Sequence, residues 1–160
     1  MSPAERTRSQ IGKANRNKGA VYERAIANAI KPWFPTAKRS RDNGSANTAD
    51  TGDIAGTPGV FWSCKDDKSG DSFAPGVIGG WMNEGVAKCD GAIVLLVQKR
   101  RGHAEPLHSW CSMWFDDFVL LAGGPPFPRD LGYVRMELWQ ALNLLSRGGY
   151  ACPPPLEDIA

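Results

Sequence analysis

The sequence predicts an α/β domain built around a small mixed sheet flanked by helices, and three observations carry that expectation. Residues 18–31 form an amphipathic helical stripe, residues 92–97 (AIVLLV) are an unbroken apolar run suited to a buried central strand, and segments of both periods alternate along the chain. With 160 residues, 42% of them hydrophobic and 22% charged, the chain has the apolar surface for one core of its own.

Taken in order, residues 1–17 read as a basic, flexible arm. In the helix that follows, Val21/Tyr22, Ala25/Ile26 and Ala29/Ile30 repeat at helical spacing until Pro32 stops it. Residues 37–41 (AKRSR) suit a short basic strand, and 42–50 (DNGSANTAD) a polar loop. Residues 51–55 and 60–65 (VFWSCK), separated by Gly56-Thr57-Pro58-Gly59, read as a hairpin. A glycine-weakened helix is expected between Pro75 and Cys89, then the 92–97 strand, a charged turn over 99–105, and a strand over 107–113. Residues 114–122 suggest a short helix, 123–128 a Pro/Gly linker, and 133–147 a closing helix with Val134, Leu138, Leu142 and Leu145 on one face and Gly148 as its stop. The expected organisation is an arm (1–17), an α/β core (18–113) and a helical extension with a Pro-rich tail (114–160).

Composition excludes several classes. The apolar run of six residues is far short of the roughly 20 needed to cross a bilayer, and residues 1–10 lack a signal-peptide apolar centre. The cysteines at 64, 89, 111 and 152 match neither a disulfide framework nor a compact zinc pattern, so a reducing, cytoplasmic setting is expected. His103, His108 and Cys111 read as solvated turn and core residues, and the glycines of residues 76–80 lack the lysine and hydroxyl of a phosphate loop. Trp110 and Trp139 are expected in the core.

The net charge of +2 conceals a segregation. Residues 1–41 hold ten Lys/Arg against Glu5 and Glu23, a balance of +8, which leaves −6 for the remainder. A concentrated basic segment is the electrostatic footprint of a polyanionic partner, nucleic acid above all. Within it, Lys13, Arg16, Lys18, Lys38, Arg39 and Arg41 are the candidate phosphate contacts. Asp53 in one strand and Lys65 at the end of another could meet if the strands pair. Alternation would put Ser63, Lys65 and Asp67 on one face, with Cys64 and Asp66 on the other.

In sequence order, Gly19-Ala20-Val21-Tyr22-Glu23-Arg24, Lys38-Arg39-Ser40-Arg41, Thr51-Gly52-Asp53-Ile54, Phe61-Trp62-Ser63-Cys64-Lys65 and the 92–97 strand resemble the PD-(D/E)XK nuclease superfamily, most nearly its small archaeal and phage-type Holliday junction resolvases. The resemblance spans residues 18–113 and implies a restriction-endonuclease-like fold and a Mg²⁺-dependent endonuclease, with Mn²⁺ as a substitute. The implied function is hydrolysis of phosphodiester bonds in branched DNA by a phage-type homodimer. It assigns Glu23 and Asp53 to the metal site, Lys65 to catalysis, the Cys64 backbone carbonyl to the metal, and Ser45 or Ser40 to a loop near the scissile phosphate. Ser63 stands where the family has Asp or Glu. A neutral hydroxyl is a poor Mg²⁺ ligand, so a carboxylate supplied from elsewhere is expected, with Asp67, Asp50 and Glu23 as candidates. Two alternatives are a DNA-binding protein whose catalysis has been lost, and a nuclease acting on duplex or damaged DNA.

Overall fold

The computed structural model describes residues 7–43, 52–67, 75–89 and 91–153. Helix α1 (Arg8–Ala29) begins ten residues before the apolar stripe that locates it, so residues 8–17, expected as part of a flexible arm, are helical instead. Its start is set by a reciprocal cap: the Gln10 N–H donates to Thr7 Oγ1 at 3.3 Å, and the Thr7 N–H donates to Gln10 Oε1 at 3.0 Å. Of the stripe, Tyr22, Ile26, Ala27 and Ile30 are buried, whereas Val21 faces outward.

Two short strands, β1 (Lys38–Arg39) and β2 (Ile54–Ala55), pair antiparallel as a sheet of their own. Strand β3 (Val60–Lys65), helix α2 (Pro75–Lys88) and strand β4 (Ile93–Gln98) form a parallel crossover unit, with β3 paired to β4 from Val60↔Ile93 to Lys65↔Gln98. Strand β5 (Trp110–Trp114) runs antiparallel to β4, and β6 (Tyr133–Glu137) antiparallel to β5. The order β3-β4-β5-β6 makes a mixed four-stranded sheet, and α3 (Phe115–Leu121) and α4 (Leu138–Arg147) complete the chain. The α/β architecture with a small mixed sheet is therefore present.

Two readings of the strands and the closing helix are corrected as well. The segments expected as a hairpin, 51–55 and 60–65, do not form one: β2 pairs with β1, and among the described residues the ladder contact of this segment with β3 is an isolated parallel bridge, Gly52↔Trp62. The Gly56–Gly59 turn is real, but a turn does not choose a strand's partner, and the inner edge of β3 is taken by the longer, fully buried β4. The closing helix starts at Leu138 rather than Tyr133, because Tyr133–Glu137 alternates at period two as an edge strand.

Strand β4 is buried along its whole length, as its composition demands. Its Ile93, Leu95 and Val97 face a core shared with α1, α4 and the Val60, Trp62 and Cys64 side of β3, while Val94 and Leu96 face Phe61 and the Ile78 and Met82 of α2. The sheet is thus covered on both faces, and truncating a central side chain such as Leu142 in α4 would cost about 2–5 kcal/mol. Trp139 is exposed, its indole N–H donating to Glu137 Oε2 at 2.6 Å, so it is no part of that core. Trp110 is half-buried between the guanidinium groups of Arg100 and Arg135, 4.1 and 4.4 Å from its ring centroid.

Candidate active site

Asp53 is carried to β3 by its preceding glycine. Gly52 has φ +71°, and a Cβ there would stand 2.0 Å from the Trp62 carbonyl oxygen, so only glycine lets the two backbones approach so closely. Four hydrogen bonds fasten the segment. The Asp53 N–H donates to Trp62 O at 2.8 Å, and the Ser40 N–H donates to Asp53 O at 2.9 Å. Ser40 Oγ donates to Gly52 O at 2.7 Å, and the Cys64 N–H donates to Asp53 Oδ2 at 2.7 Å.

The strand register explains what else lies there. Gly59 O and Lys65 O accept from Ile93 and Lys99, so odd-numbered backbone groups of β3 turn toward β4. Even-numbered groups turn to the outer edge, which places the Cys64 carbonyl on the side where Asp53 stands. The Cys64 side chain points the other way, into the core, and burial pushes its thiol well above the ordinary range, with the negative charges of Asp53 and Glu23 adding to the effect. A neutral buried thiol is no metal ligand, whereas the carbonyl is an oxygen donor suited to a hard cation.

Asp53, Ser63 and Lys65 line one hollow of about 100 Å³, closed on its far side by Trp81, Glu84 and Lys88 of α2. Lys65 Nζ lies 5.4 Å from the centre of the Trp81 ring. The helix sits close because residue 85 is glycine, where an added Cβ would come within 2.7 Å of Val94 Cγ1. Glu84 is the residue that sequence reasoning missed. Its carboxylate accepts from Lys88 Nζ at 2.5 Å, and this bond and the charge of Lys88, followed by the charge of Lys65, lower its pKa. No local motif marks it; only the crossover of α2 over β3 brings it opposite Ser63.

Glu23 and Arg39 are placed together, but facing each other. Arg39 Nε donates to Glu23 Oε2 in a pair that is 11% and 18% exposed, and Arg39 also reaches Asp42 Oδ1 at 3.1 Å. Arg24 grips Asp42 at 2.7 and 2.9 Å and, with Arg39, holds its carboxyl down to about 2. Arg39 therefore anchors α1 to β1 and the Asp53 segment. Ser40 is buried with its hydroxyl committed to Gly52 O, so it is not turned to a substrate. Lys13, Arg16, Lys18, Lys38 and Arg41 are exposed, and Ser45 and Asp50 lie outside the described residues. Asp67 lies with Lys65 in a neighbouring hollow, not in the one that holds Asp53. His103 and His108 lie ring beside ring, 5.9 Å between centroids, with His108 Nδ1 3.0 Å from Glu137 Oε2, while Cys111 faces the core, so the three do not gather into one site.

No family model, curated protein or solved structure matches the chain. Among the described residues no group of three His, Cys, Asp or Glu side chains is gathered as a metal cage. The side-chain oxygen donors lining the hollow are Asp53, Ser63 and Glu84, and the Cys64 carbonyl is on the outer edge of β3, the edge on which its N–H meets Asp53. One or two carboxylates with a carbonyl suit Mg²⁺, which keeps much of its shell as water and substrate phosphate. Among the described residues, no helix is long and apolar enough to cross a membrane.

Proposed function

We propose that this protein is a Mg²⁺-dependent DNA endonuclease, with Mn²⁺ as a substitute, that hydrolyses phosphodiester bonds in branched DNA as a homodimer. The observation that carries the reading is the convergence of Asp53, in the turn before β2, and Lys65, twelve residues later at the end of β3, on one hollow through the Gly52–Trp62 bridge. In a merely structural pairing the Asp53 carboxylate would be bonded to the Lys65 ammonium; instead it takes the Cys64 N–H and lies in the hollow beside it.

Asp53 and the Cys64 carbonyl would hold the cation, with Glu84 as the carboxylate that Ser63 does not supply. The bound cation contributes Lewis-acid polarisation of the phosphate and a lowered pKa for a nearby water. Lys65, which lines the same hollow, would orient the attacking water with its ammonium and stabilise charge building on the phosphate oxygens. Water oxygen bonds to phosphorus and gives up a proton to solvent, the bond from phosphorus to one sugar oxygen breaks, and that oxygen takes up a proton from solvent. The hydrogen bond from Cys64 holds Asp53 in a single orientation, so the site is preorganised before substrate arrives. Two such sites, one from each copy, allow paired nicks across a symmetric junction.

A second reading is favoured by one observation: Glu84 is bonded to Lys88, and Ser63 is neutral, so the same surface could bind DNA without cutting it. The test is cleavage of a labelled four-way junction, with duplex and single-stranded controls, in Mg²⁺, Mn²⁺ and chelator. Wild type is expected to give paired nicks in the junction. Chelator, Asp53→Asn, Lys65→Ala and Glu84→Gln should each lower the rate about 10²-fold or more. Salt-sensitive binding without cleavage in either metal overturns the enzyme reading in favour of the binding one. Cleavage indifferent to Lys65→Ala removes the mechanism.

A further inference from the structure

A second set of basic groups lies beyond Lys65, at the carboxyl ends of the parallel strands β3 and β4. The Asp66 side chain is only 5% exposed and is held by two ammonium groups: Lys18 Nζ lies 3.1 Å from Oδ1, and Lys99 Nζ lies 3.5 Å from Oδ2. The lysines are about half exposed, at 46% and 49%. Lys99 is also steadied over the Tyr22 ring, 5.9 Å from its centre. One lysine would suffice to neutralise a buried carboxylate. Two leave a surplus positive charge, on side chains already ordered by a carboxylate that solvent scarcely reaches.

Three hollows meet at this cluster. The first, of about 410 Å³, is lined by Lys65, Lys18 and Asp66. The second, of about 260 Å³, shares Lys18 and Asp66 with it and adds Lys99, Arg101 and His103. The third, of about 300 Å³, also shares Lys18, Asp66, Lys99 and His103 and runs along α1 to Val21. Lys65 lines both the first of these and the candidate active site, so one open path leads from the Asp53 hollow across Lys18 and Lys99 to His103. Arg101 reaches back to the Asp67 carbonyl at 3.5 Å and holds the β4–β5 turn against the β3 end.

We propose that this path is a binding track for the DNA backbone adjoining the scissile phosphate, in which Lys18 and Lys99 each contact a phosphate and Asp66 holds them in position. The surplus positive charge, exposed on groups whose rotamers are already restricted, complements a chain of phosphates and lowers the ordering cost of binding it. The residues of the β4–β5 turn thus join α1 as part of the nucleic-acid surface, although they belong to the part of the sequence, residues 42–160, with net negative charge. The inference rests on the nuclease reading of the adjoining hollow.

The test is equilibrium binding of a fluorescein-labelled four-way junction and a duplex in chelator, across a series of salt concentrations. Removing both lysines alone would strand Asp66, so the informative variant is Lys18→Gln/Asp66→Asn/Lys99→Gln, which leaves the position neutral. Its melting temperature serves as the check on folding. Two lost phosphate contacts should make the slope of log affinity against log salt shallower by about 1.8, equally for junction and duplex. Asp66→Asn alone keeps both charges and should leave that slope near the wild-type value. A triple variant that stays folded and keeps the wild-type slope overturns the track, whatever the cleavage assay shows. A shallower slope in the triple variant alone, with no cleavage by wild type in either metal, would leave the track standing and refute the enzyme reading. A wild type that binds neither DNA overturns both.

Discussion

Replacing Gly52 with alanine tests how the site is held together. A Cβ at this position meets the Trp62 carbonyl oxygen at 2.0 Å, so the backbone must move, and φ +71° adds roughly 1–2 kcal/mol of left-handed strain for any residue with a side chain. Movement of Gly52 disturbs the bonds that converge on it and its neighbour: Asp53 N–H to Trp62 O, Ser40 Oγ to Gly52 O, and Cys64 N–H to Asp53 Oδ2. At about 1 kcal/mol for each of two lost bonds, the total destabilisation is about 3–4 kcal/mol. Urea denaturation followed by tryptophan fluorescence measures it. Gly80→Ala is the control, since α2 leaves open space there and alanine should stabilise the helix by up to about 1 kcal/mol. A Gly52→Ala variant destabilised by less than about 1 kcal/mol would refute the argument that close backbone approach positions Asp53.

Other expectations concern ionisation. Asp117 in the first turn of α3 has its Oδ2 buried without a hydrogen-bond partner among the described residues, and burial, then the charge of Asp116, raise its pKa from 3.8 to about 6 against the pull of Arg129. The folded protein holds this proton more tightly than the unfolded chain, so the group's contribution to stability falls as pH rises from about 4 to 6 and stays lost above that. Allowing for solvent screening, Asp117→Asn should stabilise the protein near neutrality by about 1–2 kcal/mol and flatten that pH window; equal denaturation midpoints for both proteins at pH 7 would contradict it. Thiol chemistry gives a further check. Cys152 is exposed, while burial raises Cys64 and pushes Cys111 up to about 12. A thiol reagent applied to the native protein should modify Cys152 long before either of them, read by mass spectrometry, and equal rates would show that the core described here is wrong.

The legible parts of the sequence were those in which a residue's neighbours along the chain determine its environment. The 92–97 run is a buried strand because branched apolar residues on both faces suit no other place, and the Tyr22, Ile26, Ile30 spacing marks the buried side of α1. The first half of α1 was hidden by its charge, although Thr7 and Gln10, three apart, spell a capping box that marks its start. Tyr133–Glu137 was absorbed into a helix because Val134 and Leu138 happen to be four apart, a spacing that the strand-to-helix junction produces by accident. At the site, alternation correctly grouped Ser63 with Lys65, and the meeting of Asp53 with β3 was anticipated, but through a hairpin that does not form. Glu84 and the embrace of Arg39 by Glu23 depend on which helix lies over which strand, and no local spacing encodes that.

The single bridge between the two sheets also divides the protein in its fluctuations. Lys65 sits at the end of a six-residue strand zipped to β4 along its length, whereas Asp53 precedes a two-residue strand and meets β3 through the Gly52–Trp62 bridge and the bond from the Cys64 N–H. Segments with so short a ladder open at lower free energy than the sheet they lean on. The amide hydrogen of Asp53 should therefore exchange with solvent through openings that leave Leu95 protected. The carboxylate and the lysine thus belong to separately opening units, and the reactive arrangement exists only while the smaller unit is closed onto the larger.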